Sequence, residues 1–127
     1  MEGFFLDIVK GQLGKVRDDR DNYLWHSFWF LIRKSDRVAV GSADFKDVPG
    51  QNSEVEIGYG LGKEFEGRGY MTEAVKSMCA WALEQPGVHQ VIAETDSIGE
   101  ASHGVLRRCG FTVDRRGETW WWRLSGV

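Results

Sequence analysis

Apolar residues recur along this chain with two different periods, and the changes of period mark its elements. Met71, Ala74, Val75, Met78 and Ala82 fall at i, i+3, i+4, i+7 and i+11, one face of an amphipathic helix. Gln85-Pro86-Gly87 ends that helix. Upstream the pattern is that of strands. Tyr23 to Arg33 (YLWHSFWFLIR) is rich in aromatics, and Val38 to Phe45 (VAVGSADF) reads as its hairpin partner across the turn KSDR. Pro49-Gly50 marks a loop from Asp47 to Asn52. Glu54 to Leu61 (EVEIGYGL) is a third strand, with Gly58 and Gly60 predicting a bulge or a close backbone approach.

Downstream, His89 to Thr95 reads as a buried strand. Glu100 to Cys109 is a helix with Ala101, Val105, Leu106 and Cys109 inward and Gly110 at a left-handed cap. Phe111 to Arg116 and Glu118 to Leu124 close the chain as a strand pair around Gly117. In the first 20 residues Phe5, Ile8, Val9 and Val16 fit a helical stripe, weakened by Gly11 and Gly14. The order is α-βββ-α-β-α-ββ. Strand–helix–strand around residues 55–95 implies a locally parallel pair. The expectation is one domain over residues 1–127: a three-layer, mixed-sheet α/β (α+β) fold, mostly antiparallel.

Composition narrows the function. With 127 residues, 42% of them hydrophobic, the chain can bury one core. A net charge of −3 argues against a nucleic-acid partner, which wants clustered positive charge. No apolar run approaches the ~20 residues that span a bilayer, so no membrane partner is expected. MEGFFLDIVKGQ carries Glu2 and Asp7 and does not read as a signal peptide, which makes the cytoplasm the expected compartment. Cys79, Cys109, His26, His89 and His103 lack ligand spacing; buried thiols and packing histidines are expected, and no metal.

Chemistry enters at Gly67-Arg68-Gly69, immediately before the first well-marked helix. A helix start offers unpartnered N–H groups and the positive end of the dipole. Glycines there let an anion approach without meeting a Cβ. The turn therefore reads as an oxyanion or phosphate cradle. It is not a P-loop, since GYMT stands where GK[ST] is needed, and it is not a dinucleotide fingerprint, since Thr72 holds the third glycine's place.

EVEIGYGLGKEFEGRGYMTEAV, followed by VIAETDSIGEASHGVLRRCGF, resembles the GNAT superfamily of acetyl-CoA-dependent N-acetyltransferases, in particular the branch that acetylates protein N-termini, ribosomal proteins and small amines. The resemblance covers roughly Glu54 to Phe111. It implies that acetyl-CoA is the cofactor and that its pyrophosphate meets the N–H groups of Arg68, Gly69, Tyr70, Met71 and Thr72. Glu66 and Met71 depart from the family's usual Gln or Arg and Gly or Ala. It further implies that EVEIGYGL and VIAET splay apart around the pantetheine arm, with the Gly58/Gly60 pair as the bulge, and that N–H groups at Tyr59, Gly60 and Leu61 polarise the thioester carbonyl. Gly99 stands where the family often has Asn, and Leu106 where many members place an acidic tyrosine. Ser102 is the hydroxyl left for the departing thiolate, or alternatively a helix cap.

An alkyl amine with pKa near ~10.4 is almost wholly protonated at neutral pH, a deficit of roughly 4 kcal/mol that a general base or desolvation must offset. By the resemblance Glu56 is the base candidate, acting through a water; its alternative is a solvent-facing strand carboxylate. Tyr59 and Asp44 are secondary candidates. The implied acceptor is an amine-bearing small molecule or a protein N-terminus. The chain begins within the helix pair that follows the family's first strand, so an exposed sheet edge is expected. That edge and six tryptophans suggest a homodimer, the alternative for the tryptophans being strand packing. A non-enzymatic acyl-CoA-binding or regulatory module stands as the second reading.

Overall fold

The computed structural model describes residues 4–9, 25, 28–50, 52–61 and 69–126. It contains a mixed seven-stranded sheet in the order β1-β2-β3-β4-β5-β7-β6. The strands are β1 (Phe4–Val9), β2 (Phe28–Arg33), β3 (Ala39–Phe45), β4 (Glu54–Leu61), β5 (Gln90–Asp96), β6 (Thr112–Arg116) and β7 (Thr119–Ser125). Two described helices, α1 (Tyr70–Glu84) and α2 (Glu100–Arg108), frame β5.

β1 corrects the sequence reading. Phe5, Ile8 and Val9 were expected on a helical stripe, but Phe4–Val9 is a strand paired antiparallel with β2, from Phe4–Arg33 to Val9–Phe28. Three apolar positions satisfy a helical period by chance over so short a run. A six-residue ladder with a neighbouring strand outweighs that weak local preference. Val16 lies outside the described residues. β1 also covers the β2 edge that the sequence reading left open, which removes one motive for a dimer.

The tryptophans follow the packing alternative. Trp25 and Trp29 are buried, and with Phe45 and the half-buried Trp81 they form one aromatic cluster, its centroids 4.8 Å apart for Trp25–Trp81 and 5.5 Å for Trp29–Trp81. Trp122 is buried too. Of the described large apolar side chains only Val38 and Ile98 are exposed.

Burial shows how the layers meet. On β4, Val55 and Ile57 are buried; on β5, Val91, Ala93 and Thr95. These alternate positions share one sheet face. Against it α1 lays Met71, Ala74, Val75, Met78, Cys79 and Ala82, the stripe foreseen from the sequence. α2 buries Leu106 and His103 on the same side, His103 stacking on Trp120 at 4.5 Å. The expected three layers are therefore two among the described residues. Gly110 (φ 93) closes α2, with Phe111 N–H donating to the Leu106 carbonyl at 3.0 Å. No described helix is long and apolar enough to cross a membrane.

The parallel pair is short. β4 and β5 pair only at Glu54–Gln90, Val55–Val91 and Glu56–Ile92. Beyond Glu56 the strands part, as the resemblance implies. The bulge does not accompany the parting: the β3–β4 register runs without a shift from Gly41–Leu61 to Phe45–Ile57. Nor does backbone come close to Gly58: a Cβ there would meet the end of the Lys46 side chain, 2.7 Å from Nζ and 2.8 Å from Cε.

Candidate functional site

The parting strands open a slot that passes through the sheet. Side chains of one strand alternate between its faces. Tyr59 and Thr95 belong to the helix-covered face, while Glu56 and Glu94 belong to the other. All four line one cavity of about 230 Å³, together with Lys46 and Ser102. Such a mixture is possible only where two adjacent strands are not laddered.

On the helix side the slot meets a groove of about 630 Å³. Its floor is Tyr59 and Gly60. One wall is the start of α1, from Gly69 to Thr72; the opposite wall is α2, through Ala101, Ser102, Val105 and Arg108. Tyr59 and Ser102 line both spaces and form the junction. The volume falls in the usual range for small-molecule and cofactor sites.

Gly69 is the N-cap of α1, with φ 78 in the left-handed region and no side-chain cap. Its carbonyl takes the first helical bond, from Glu73 N–H at 3.1 Å. A Cβ at position 69 would meet nothing within 4 Å, so the glycine serves the backbone conformation and leaves the approach clear. Such a helix start suits an anion. Arg68 and Gly67, the preceding part of the cradle, lie outside the described residues. Leu61 ends β4.

A cation that sequence reasoning missed stands at the same place. Arg108, the last residue of α2, donates from Nε to Thr72 Oγ1 at 3.2 Å, tying the two walls together. A Cβ at Gly104 would lie 3.1 Å from Arg108 Nη1, so this glycine leaves room for the guanidinium. Cys109 Sγ donates to the Thr72 carbonyl at 3.4 Å. The signal in the sequence was the Arg107-Arg108 pair, but only the packing of α2 on α1 turns one of the two toward the cradle.

Ser102 does not act as the cap that was its alternative reading. Gly99 is the N-cap of α2, and no side chain caps that helix. The Ser102 carbonyl accepts from Tyr59 Oη at 3.3 Å, which pins the α2 tip to β4 at the junction. Met71 is buried and lines the groove. Leu106, at the tyrosine position of the resemblance, is fully buried and does not line it.

Burial pushes the Tyr59 phenol up to about 12. It holds its proton at neutral pH, which removes it as a base. Glu56 behaves differently. Burial raises its carboxyl above the ordinary value, Lys46 opposes the rise, and Glu94 and Asp44 add to it. A carboxylate so placed is more basic than an exposed one. Glu54, two residues earlier on the same face, is engaged by Arg123 at 2.8 Å. Cys79 is a buried free thiol as expected, raised to about 12 by desolvation, and Cys109 is half-buried and free.

Comparison with known proteins places this geometry. An N-acetyltransferase of Bacillus subtilis, YjdG, is 27% identical over 88 residues, which are 69% of this chain and 52% of the relative. The chain thus spans about half the length of that curated relative. Among solved structures, the ribosomal-protein-S5-alanine acetyltransferase of Vibrio fischeri superposes with a TM-score of 0.77 at 17% identity, over 90% of this chain and 67% of that one. RimL, a ribosomal L7/L12 α-N-protein acetyltransferase solved with coenzyme A, gives a TM-score of 0.70 at 18% identity, over 91% of this chain and 73% of that one. At these identities the structural likenesses establish the fold. Residues 9–112 match the acetyltransferase (GNAT) domain, a span that takes in the slot, the groove and both described helices, and on that match the chain belongs to the GNAT acetyltransferase family.

Proposed function

We propose that this chain transfers an acetyl group from acetyl-CoA to a primary amine. One observation carries the reading: a helix-started groove on one face of the sheet opens, at Tyr59 and Ser102, into a slot that reaches a carboxylate on the other face. Two reactants that approach from opposite faces would meet at that junction.

The residues present fit the cofactor. The groove has the volume, Gly69 to Thr72 offer an uncapped helix start, and Arg108 supplies a positive charge beside it. Phosphate would lie against Gly69, Tyr70, Met71, Thr72 and Arg108, with Arg68 the remaining sequence candidate. Tyr59, Gly60 and Leu61 would lie along the acyl-bearing arm, on the unladdered side of β4. Bound acetyl-CoA supplies the acyl group as a thioester.

The chain's own residues handle the acceptor's proton. Glu56 takes it from the ammonium, through one water where direct reach is lacking. Its raised pKa brings it closer to the acceptor's and makes that transfer less uphill. Ser102, at the junction of the two spaces, would offer a hydrogen bond to the cofactor's sulfur as thiolate. The slot of about 230 Å³ suits a short alkyl amine or a chain terminus with a small side chain. The names of the relatives favour an amine on a protein N-terminus within that class.

Leu106 favours the second reading, an acyl-CoA-binding module without turnover, since no tyrosine stands at that position. One assay separates the two: thiol release from acetyl-CoA against small amines and peptides, beside a direct binding titration. Amine-dependent thiol release is the expected result. Tight acetyl-CoA binding with no release for any amine overturns the transferase in favour of the module.

A further inference from the structure

The slot contains one cationic side chain, and the proposed reaction does not use it. Lys46 follows β3, and its N–H donates to the Glu56 carbonyl at 2.9 Å. Its side chain then lies back across β4. A Cβ at Gly58 would stand 2.7 Å from Lys46 Nζ and 3.2 Å from Asp44 Oδ1. A side chain at position 58 would therefore displace the end of the lysine from this place. Lys46 lines the slot with Glu56 and Glu94. Yet among the described residues no ion pair within 4.0 Å joins it to Asp44, Glu56 or Glu94. The residue is exposed. A primary ammonium on a flexible tether thus stands in the slot, held by through-space attraction alone.

We propose that Lys46 is a specificity-determining residue, a tethered competitor that occupies the ammonium position of the acceptor slot and swings out when a cationic primary amine enters. The proposal rests on the transferase reading for the identity of the slot as the acceptor side. Two ammonium groups about 4 Å apart repel, so Lys46 and a cationic acceptor exclude one another. The displaced lysine loses its attraction to Glu56, and the acceptor must make up the difference. At pH values where Glu56 is ionised the effect falls on acceptor affinity and KM, because Lys46 does not touch the reacting atoms. The geometry commits to an alkyl amine without a carboxylate. An acceptor carrying a carboxylate beside its amine would gain from Lys46, and the sign would reverse.

Calorimetric titration with n-butylammonium, in the presence of coenzyme A, tests this on the full chain. Lys46→Met is expected to bind about five-fold more tightly than wild type, the size of one loosely held charge pair. Gly58→Ala evicts the lysine by contact and shifts affinity the same way. Lys46→Arg keeps the charge and stays near wild type. In steady-state thiol release with butylamine, Lys46→Met lowers KM where Glu56 is ionised in both proteins and moves the acid limb to higher pH, because Lys46 no longer opposes the rise of the Glu56 carboxyl; mere loosening of the fold would not give that pair of changes. A Lys46→Met affinity equal to or weaker than wild type overturns the proposal, as does absence of binding in both proteins. Butylammonium binding that is tighter in Lys46→Met, with no thiol release from either protein for butylamine or any other amine or peptide, sinks the transferase reading and leaves Lys46 only as a competitor for an ammonium-binding slot. Release by the wild type with no gain in the variant sinks the role of Lys46 alone.

Discussion

β4 has two edges, and the fold treats them differently. Toward β3 the ladder is unbroken through five pairs, Gly41–Leu61 to Phe45–Ile57. Toward β5 it stops after three, at Glu56–Ile92. β5 shows the mirror arrangement, since its outer edge is paired with β7 along its whole length, from Gln90–Ser125 to Asp96–Thr119. Each strand is held from outside while the inner edges stay apart. Aromatic packing braces both arms. Trp25, Trp29, Phe45 and Trp81 cluster on the β2–β3 side, and His103, Trp120 and Trp122 on the β7 side, where Trp122 Nε1 also donates to Thr95 Oγ1 at 2.9 Å. The site is thus made by withholding a ladder from one edge. Backbone groups left there seek a partner, and an extended ligand can supply it by strand-like pairing.

The open edge can be broken most severely at Glu56. Glu56→Gln is expected to lower kcat by about 10²–10⁴ with little change in acetyl-CoA affinity. The sign of the pH dependence follows from the shift. A base must be ionised, and burial raises this carboxyl, so the acid limb of kcat/KM lies above the ordinary value of 4.5 and disappears in the variant. Full activity of Glu56→Gln near neutral pH would remove this residue from the mechanism.

Next in size is the helix start that faces the same opening. Gly69→Val places a β-branched residue at φ 78, a strain of roughly 1–2 kcal/mol before any ligand contact is lost. Acetyl-CoA affinity should fall by about ten-fold or more. Calorimetry reads the affinity and circular dichroism checks the helix. Unchanged affinity in a folded variant means that the cradle has been misplaced.

The smallest effect sharpens the comparison within one strand. Glu54 shares its face with Glu56 but sits where β4 and β5 are still paired, bound to Arg123 at 2.8 Å. Glu54→Gln should cost about 1 kcal/mol or less in thermal unfolding, as a partly exposed ion pair, and leave kcat unchanged. A loss of kcat like that of Glu56→Gln would mean that the slot does not distinguish the two carboxylates.

Much of this was legible in residue order. The bounds of β4 at Glu54 and Leu61 follow from its composition and flanking loop, and the buried face of α1 from Met71 to Ala82 follows from its period. Gly69 could be placed at a helix start because its reason is local: a positive φ next to unpartnered N–H groups. β1 was not legible, because six residues carry too little periodicity to decide between strand and helix until β2 lies alongside. Glu56 could be picked from its strand, but not its company. Lys46, Glu94 and Thr95 reach the same slot from other strands. Arg108 and Thr72 meet across 36 positions of sequence. The end of the Lys46 side chain lies over Gly58, and nothing within β4 records that. The sequence by itself determined the bounds of β4 and the buried face of α1, since both depend on neighbours within a few residues. Only the tertiary structure decided which charges share the slot, because that depends on where paired strands stop pairing.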